Sequence, residues 1–376
     1  GGAVSGEQDS EAPTLGVVML AYGAEPELDR ALAAVLASRG VRVRVVLVDN
    51  GCTRPDLAAL AASPGVELVR PATNLGFAAG GNLGGGRVYE AFPGTATSEA
   101  VGTPAAGGVT LGAERAHEAY LGPVNRAAVV PRSSIAALVS VATRREVGIA
   151  SGSIRLADDP ATMNSAGNPV HVLGLSWAGG LGEPASSHAA PVTVASASGA
   201  ALVLRREVWS VLGGFPAEFF AYQEDLELSW RTWQAGLEVR YVPDAVVVHH
   251  YEFSRNPRKM YLLERNRLLF VLTCYGPRAL ALLAVPLLAF EVALLAVAVV
   301  QGWGAQKVRG WLWVVGHLSW VRRRRRLVQQ ARRVPDSALV GLWVDRFAPA
   351  ALPLPRGADP LQALLAAYWR VVRRWV

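Results

Sequence analysis

Two adjacent carboxylates in the second half of the chain could supply a general base. Glu224 and Asp225 follow the aromatic run FFAY (219–222) and begin a helical pattern that extends to 235. In a partly dry site, burial and a neighbouring negative charge raise the pKa of a carboxyl group towards the working pH. The same two acids could instead only complement the dipole of a helix N-terminus. These residues alone are compatible with both interpretations.

Three further positions lie at predicted strand ends or helix starts. Asp49 ends a strand, where a carboxylate can bind a nucleotide base or ribose, although 49–51 could simply form a turn. The segment NLGFAAGGN (74–82) would let a phosphate approach the backbone, or would form a plain glycine-rich junction. His249 ends an apolar strand and could contact a metal ion or a phosphate, or could only pack.

Alternating apolar runs and helical patterns predict the sheet that positions these residues. The first three strands are predicted at 15–21, 42–48 and 66–70, and the helices between them at 25–38 and 57–62. Strand–helix–strand repeats predict a mostly parallel α/β sheet. Such sheets bind ligands beyond the carboxyl ends of their strands.

That rule places Tyr22 and Asp49 at the expected ligand-binding edge. Because Tyr22-Gly23-Ala24 follows the first strand where a dinucleotide fold has G-x-G-x-x-G, we exclude that fold. Residues 84–111 show neither helical nor strand periodicity, and we predict an inserted flexible loop there. A helical pattern resumes at 113–119.

Composition excludes several classes of protein. Hydrophobic residues make up 51% and charged residues 18%, which excludes an intrinsically disordered chain. Cys52 and Cys274 are too few for a disulfide framework or a cysteine-based zinc site.

The C-terminal region differs in composition from the rest. Residues 301–376 carry 14 of the 37 Lys and Arg, 3 of the 30 Asp and Glu, and 7 of the 11 Trp. They follow the apolar stretch 279–300, which is long enough to cross a hydrocarbon core but contains Glu291. Arg322–Arg326 could bind nucleic acid, but no nucleic-acid fold signature accompanies it, so we expect an anionic membrane surface instead.

Taken together, these motifs resemble an inverting family 2 glycosyltransferase with the GT-A fold, in the branch of bacterial rhamnosyl- and galactofuranosyl-transferases. The resemblance covers about residues 15–270. The segments that carry it are VVMLAY (17–22), VLVDNG (46–51), NLGFAAGGN (74–82), SGAALVLRREVWSVLGGF (198–215), FFAYQEDLELSWR (219–231) and YVPDAVVVHH (241–250).

The resemblance implies a role for each matching residue. Asp225 would be the catalytic base, supported by Glu224, with Arg231 orienting the pair. His249 would lie near the diphosphate as a metal ligand. The donor site would comprise Tyr22, Asp49, Asn74, Gly76, Asn82, Arg126 and Gly199.

One motif departs from the family pattern. The acidic metal-binding motif should follow the fourth strand, but the chain reads VNRAAVVP (124–131) and Ala127 stands where an Asp is expected. The usual Mg²⁺ or Mn²⁺ is therefore in question. Either Arg126 or another cation replaces the metal, or the chain is a non-catalytic relative that keeps the fold as a binding or scaffolding module.

These inferences predict three regions and a location. We expect a disordered tail at 1–14, a GT-A domain at 15–275 and a helical, basic, Trp-rich, membrane-associating region at 276–376. The expected partners are a nucleotide-sugar donor, a glycan or lipid-linked acceptor and a membrane surface, without nucleic acid. We expect the protein at the cytoplasmic face of the cell membrane, with rhamnose as one candidate sugar.

Overall fold

The computed structural model describes residues 12–91, 118–124, 128–250, 256–350 and 358–376. The strands are β1 (Thr14–Gly23), β2 (Arg42–Cys52), β3 (Val66–Val69), β4 (Glu118–Val124), β5 (Ala128–Val129), β6 (Val147–Leu156), β7 (Met163–Ser165), β8 (Val170–His171), β9 (Val192–Thr193), β10 (Leu202–Arg205), β11 (Glu238–His249) and β12 (Trp343–Val344). The helices are α1 (Leu28–Leu36), α2 (Leu57–Ala61), α3 (Gly76–Ala91), α4 (Ser134–Ala142), α5 (Arg206–Leu212), α6 (Glu224–Gln234), α7 (Pro257–Cys274), α8 (Pro277–Val300), α9 (Gly304–Gly316), α10 (Leu318–Ala331), α11 (Asp336–Leu339) and α12 (Ala358–Val372).

The central sheet has the strand order β3-β2-β1-β4-β10-β6-β11-β5, with β7 paired to β6 and β9 to β11. Strands β3, β2, β1 and β4 are parallel, whereas β10 runs antiparallel to both β4 and β6. The predicted mostly parallel α/β sheet is confirmed. Ala21 lies opposite Asp49, so the carboxyl ends of β1 and β2 meet at one edge.

Helices cover both faces of the sheet because side chains along a strand alternate in direction. Val17 and Met19 of β1 join the core formed with α1 and α4. Val18, between them, packs with Val88 of α3 on the opposite face. Strands buried on both faces account for the continuous apolar run of β1.

The prediction of a loop beginning at residue 84 is wrong for residues 84–91, which complete α3. The glycines there permit close packing of the helix on the sheet. A Cβ at Gly84 would lie 2.3 Å from Cγ1 of Val18, so a larger residue would push the helix away. The rest of that predicted loop, 92–111, lies outside the described residues.

Two other boundaries also differ from prediction. Thr14 belongs to β1 and not to the predicted tail, of which residues 1–11 lie outside the described part. Glu118 and Ala119 belong to strand β4 and not to the predicted helix, because their backbone pairs with β1 through Thr14 and Leu15. Tertiary pairing therefore overrides the local helical pattern at that point.

The C-terminal region shares a core with the α/β domain. Trp343 packs against Trp230 of α6, with ring centroids 5.0 Å apart, and against Tyr275 at the same distance. Trp369 of α12 packs on Trp343 at 5.5 Å. Since this aromatic cluster includes residues on both sides of position 275, the predicted division between the two regions crosses a shared core.

Helix α8 is, among the described residues, the one helix long and apolar enough to cross a membrane by length and composition. The acidic residue of this helix, Glu291, has polar partners. Glu291 accepts hydrogen bonds from Arg267 of α7, from Lys307 of α9 and from the indole of Trp311. These bonds join α7, α8 and α9, so α8 packs along one side on the rest of the protein.

The basic run Arg322–Arg326 on α10 has two different roles. Arg324 donates a hydrogen bond of 2.6 Å to the buried carboxylate of Glu227 in α6. Arg325 donates to the carbonyl groups of Leu272 and Tyr275 at 2.7 and 2.8 Å. The other three arginines of the run are exposed. Part of the charge predicted for a membrane surface therefore holds α10 against the domain.

Candidate active site

The carboxylate of Asp225 is held by two backbone N–H groups. Gly199 donates to Oδ2 and Leu226 to Oδ1, each over 2.8 Å. A Cβ at Gly199 would lie 3.2 Å from Oδ2, so a residue without a side chain fits this contact. The structure brings together Gly199 and Asp225, which are 26 residues apart in the chain.

Glu224 and Asp225 lie in different environments. Glu224 is 5% exposed, and burial together with the negative charge of Asp225 raises its pKa well above the ordinary value. Burial also raises the pKa of Asp225, but its two N–H bonds oppose that rise, and its side chain stays partly exposed. Burial and the adjacent charge thus disfavour the ionised form of Glu224 more than that of Asp225.

The loop before this pair, residues 218–223, is strained and is called the strained loop below. Phe220, Tyr222 and Gln223 have φ angles of +64°, +72° and +65°. Such conformations cost about 1–3 kcal/mol each and persist only where the surroundings enforce them. Strain of this kind at an acidic pair is typical of a functional site.

Asn266 of α7 enforces that conformation. Its fully buried amide nitrogen donates to the carbonyl groups of Phe219, Ala221 and Tyr222 at 3.0, 2.9 and 2.7 Å. Arg265 adds bonds to neighbouring carbonyl groups of the same loop. Sequence reasoning missed Asn266. The available signal was the run of four polar residues at 264–267 between the apolar residues of α7.

Asp49 lies at the predicted edge, at the end of β2. Its Oδ1 accepts hydrogen bonds from the N–H groups of Gly51 and Cys52 at 3.3 and 2.9 Å, so the predicted turn is present. Its Oδ2 is 3.3 Å from Nε of Arg70. Its side chain remains 20% exposed, and Tyr22, at the neighbouring end of β1, is 49% exposed. Both side chains can therefore reach a ligand at this edge.

Asn50 connects this edge to the start of α3. Its amide nitrogen donates to the carbonyl of Gly76 at 2.9 Å, and its oxygen accepts from the N–H of Leu75 at 2.7 Å. The carbonyl of Phe220 in turn accepts from the N–H of Ala78 at 3.0 Å. The end of β2, the start of α3 and the strained loop thus form one rim, which Asp49 and Asp225 share. Sequence reasoning had treated Asn50 only as a turn residue.

Two predicted donor-binding asparagines form hydrogen bonds with backbone groups of the protein itself. Asn74 is exposed, and its Oδ1 accepts from the N–H of Gly76 at 2.8 Å. Asn82 bonds the backbone of Phe215 through both ends of its amide, at 2.9 and 2.8 Å. Asn82 therefore fastens α3 to the segment before the strained loop, and its contact with a donor stays a prediction.

Arg231 does not orient the acidic pair. It donates to Glu227 over 2.7 Å and to the carbonyl groups of Leu212 and Gly214. On a helix, Glu227 and Arg231 are four residues apart and lie on the same face, so this shorter-range partner is preferred.

Within the described residues, His249 is not part of a group that could hold a divalent metal ion. His249 ends β11, is 7% exposed and pairs with Ala128 of β5. Arg126 and Ala127 lie outside the described residues. Across the described ranges, no three His, Cys, Asp or Glu side chains converge as a metal site would require. Mg²⁺ and Mn²⁺ favour several oxygen ligands, and the described residues offer no such group.

Gly76 is a point where a single methyl group should disturb the rim. Its φ is +74°, and a Cβ there would lie 2.4 Å from the carbonyl oxygen of Phe220. We expect Gly76→Ala to destabilise the fold by about 2 kcal/mol and to lower activity, because the strained loop must move. Thermal unfolding and turnover measure both effects.

Gly86 in the same helix has open space, so Gly86→Ala should stabilise the fold by about 0.5–1 kcal/mol. Equal effects of both substitutions would contradict this account.

Comparisons with known proteins identify the family of this chain. Residues 128–352 match the family model described as glycosyl transferase family group 2. The N-acetylglucosaminyl-diphospho-decaprenol L-rhamnosyltransferase of Mycobacterium tuberculosis, in strains CDC 1551 / Oshkosh and ATCC 25618 / H37Rv, is 29% identical over 260 residues, which cover 64% of this chain and 77% of that protein.

A solved structure supports the fold. The crystal structure of GalNAc-T7 with UDP, GalNAc and Mn²⁺ has a TM-score of 0.52 and 16% identity, and the match covers 72% of this chain and 49% of that one. At this identity the likeness concerns the fold alone. The family match covers more than half of the chain and includes the acidic pair. The chain therefore belongs to glycosyl transferase family group 2, and it is a glycosyltransferase with an α/β fold of the GT-A type.

Proposed function

We propose that this glycosyltransferase moves a sugar from a nucleotide-sugar donor to a lipid-linked acceptor with inversion, and that Asp225 is the general base. The observation that carries the proposal is the Asp225 carboxylate itself. It lies on the rim shared with Asp49, two N–H groups orient it, it is partly exposed, and burial raises its pKa. A base with these properties can take a proton from a bound hydroxyl group.

The reaction then needs one displacement. Asp225 takes the proton of an acceptor hydroxyl, whose oxygen attacks the anomeric carbon of the donor. The bond from that carbon to the nucleoside diphosphate breaks, and the leaving group carries away the electron pair. Attack from the face opposite the leaving group inverts the configuration. Glu224 supports the pair from a buried position, where its Oε2 is shielded from solvent and has no hydrogen-bond partner among the described residues.

The donor and acceptor classes rest on the relative. That mycobacterial protein is by name an L-rhamnosyltransferase for N-acetylglucosaminyl-diphospho-decaprenol. We propose a deoxyhexose such as L-rhamnose as the donor sugar and a diphosphate-linked prenyl amino sugar as the acceptor. We place the reaction at the cytoplasmic face of the cell membrane. The wide exposed apolar faces of α8 and α12 support contact with a lipid surface.

A product assay tests this proposal. The full chain is incubated with the acceptor N-acetylglucosaminyl-diphospho-farnesol together with one donor at a time. The donors are dTDP-L-rhamnose, UDP-glucose and GDP-mannose. We expect one donor to give a disaccharide lipid whose anomeric configuration, read by NMR, is opposite to that of the donor. A product with retained configuration would contradict the mechanism. Donor binding without a product from any donor would favour the non-catalytic alternative.

The metal requirement can be tested separately. Because Ala127 stands in place of the expected Asp and no three His, Cys, Asp or Glu side chains of the described residues converge as a metal site would require, we expect donor binding to persist without a divalent ion. Calorimetric titration of the donor should give the same affinity with EDTA as with Mn²⁺. The donor affinity of His249→Ala should likewise be the same with and without Mn²⁺. A donor affinity that depends steeply on Mn²⁺ would show that a metal site exists.

A further inference from the structure

A cavity of about 650 Å³ lies beside the strained loop, between the loop and helices α7 and α9. The side chains that line it include Phe220, Arg258, Tyr261, Arg265, Arg309 and Trp313. Phe220 belongs to this wall and, through its carbonyl group, to the rim of the active site. The cavity therefore adjoins the loop before the acidic pair, and none of the predicted donor-binding residues that the structure describes lines it.

The cavity is cationic. Three arginines face one acidic residue, Glu218. Arg265 uses its guanidinium group on loop carbonyls, but Arg258 and Arg309 are exposed and form no ion pair in the described part of the chain. Arg258 stacks over Phe220 at 4.6 Å and Arg309 over Tyr261 at 5.3 Å. Stacking restricts both guanidinium groups and leaves their N–H groups available, which suits a phosphate ligand.

An exposed apolar surface begins next to the cavity. On α9, Arg309 and Trp313 line the cavity, while Leu312 and Val315 on the adjacent stripe are 65% and 64% exposed. Val285, Leu288 and Val292 expose a similar stripe on α8. Apolar patches of this extent on a folded protein indicate a binding surface for lipid or protein. A cationic cavity next to such a patch matches a ligand with an anionic head and a hydrocarbon chain.

We propose that this cavity binds the diphosphate of a prenyl-linked acceptor, with the prenyl chain lying along the exposed stripes of α9 and α8. This inference rests on the proposed function, because it names where that acceptor binds. The two diphosphates of the reaction then lie in separate places. The donor diphosphate is at the rim, near the end of β2 and the start of α3, and the acceptor diphosphate is beyond Phe220. A head group held there would present its sugar towards Asp225.

Farnesyl diphosphate is the probe that tests the inference. The full chain in detergent is first saturated with dTDP, which occupies the donor site, and is then titrated with the probe. We expect saturable binding, and we expect Arg258→Gln combined with Arg309→Gln to weaken it by about tenfold or more, since bonds between ions are among the stronger ones. The matched control, Arg322→Gln with Arg323→Gln, removes the same charge from an exposed part of α10 and should bind like the parent.

Three results would overturn the assignment. One is parent-like affinity for farnesyl diphosphate in the cavity variant. Another is equal affinity for inorganic pyrophosphate and farnesyl diphosphate, which would mean that the prenyl chain is not bound. The third is that the cavity variant loses as much affinity for phosphatidylglycerol–phosphatidylcholine vesicles, measured without the probe, as it loses for farnesyl diphosphate. That result would identify a general lipid contact. Because dTDP binding and the transfer reaction are measured in the same variants, a failure of the proposed function remains distinguishable from a failure of this site.

Discussion

Asp225→Asn is expected to lower the turnover number by about 10²–10⁴-fold, the usual contribution of a general base. An asparagine cannot take the proton of the acceptor hydroxyl. Its side-chain oxygen can still accept the N–H of Gly199, which lies 2.8 Å from the present carboxylate, so the loop should keep its conformation. Steady-state transfer assays measure the loss, and thermal unfolding together with donor titration should show that folding and donor binding persist.

Glu224→Gln is the matched control for this prediction. Because burial and the charge of Asp225 raise the pKa of Glu224 well above its ordinary value, a neutral amide of the same shape should preserve most of the activity. Comparable losses in both variants would show that the pair acts as a unit and that the single-base assignment is wrong. Full activity of Asp225→Asn would remove the basis of the proposed mechanism.

The pH dependence follows from the same residues. The ionised form of Asp225 is the active one, so activity is present above its pKa and is lost as the pH falls through it. Since burial raises that pKa above the ordinary aspartate value of 3.8, the acidic limb of kcat/KM should lie above the range of an exposed aspartate. The limb should disappear from the residual activity of Asp225→Asn.

Lys307→Met is expected to destabilise the protein by about 3–5 kcal/mol, the usual cost of leaving a buried charge without its partner. The fully buried ammonium of Lys307 lies 2.6 Å from Glu264 and 2.7 Å from Glu291, and Arg267 bonds the same two carboxylates. The four charges balance. Removing one cation leaves a net negative charge between α7, α8 and α9. Chemical unfolding in detergent measures the change in free energy.

A second substitution should restore part of that stability. Glu291→Gln in the Lys307→Met background returns the cluster to zero net charge and keeps an acceptor for the indole of Trp311. We expect the double variant to be more stable than Lys307→Met alone. The exposed control Arg322→Gln should change stability by no more than about 0.5 kcal/mol. If Lys307→Met unfolds like that control, the four side chains do not form a balanced buried cluster.

Local sequence signals were sufficient for much of the fold. The apolar runs of β1, β2 and β3 and the helical pattern of α6 lie where periodicity predicts them. The run of β1 is the clearest, because a strand buried on both faces must be apolar throughout. The glycine-rich residues 84–91 were misread for a physical reason. Glycine is a poor helix former, but here it lets α3 approach the sheet, and only the packed structure reveals that gain.

Residues that act over long separations were not predictable in the same way. Asn266 holds a loop that is 44–47 positions earlier in the chain, and Asn50 holds one 26 positions later. Glu291 was read as a cost in an apolar stretch because its partners Arg267 and Lys307 are on other helices. A hydrogen bond between distant residues leaves no periodic trace in a single sequence.

By itself the sequence determined the α/β class, the order of the first strands and the identity of the acidic pair, because these depend on side-chain pattern and on a motif within one short segment. Only the tertiary structure decided that Gly199 binds Asp225, that Arg324 reaches Glu227 and that the C-terminal helices share a core with the catalytic domain. Those outcomes depend on which buried charges and carbonyl groups find partners when distant segments pack. That is a property of the folded chain, since most buried polar groups must find their partners at once.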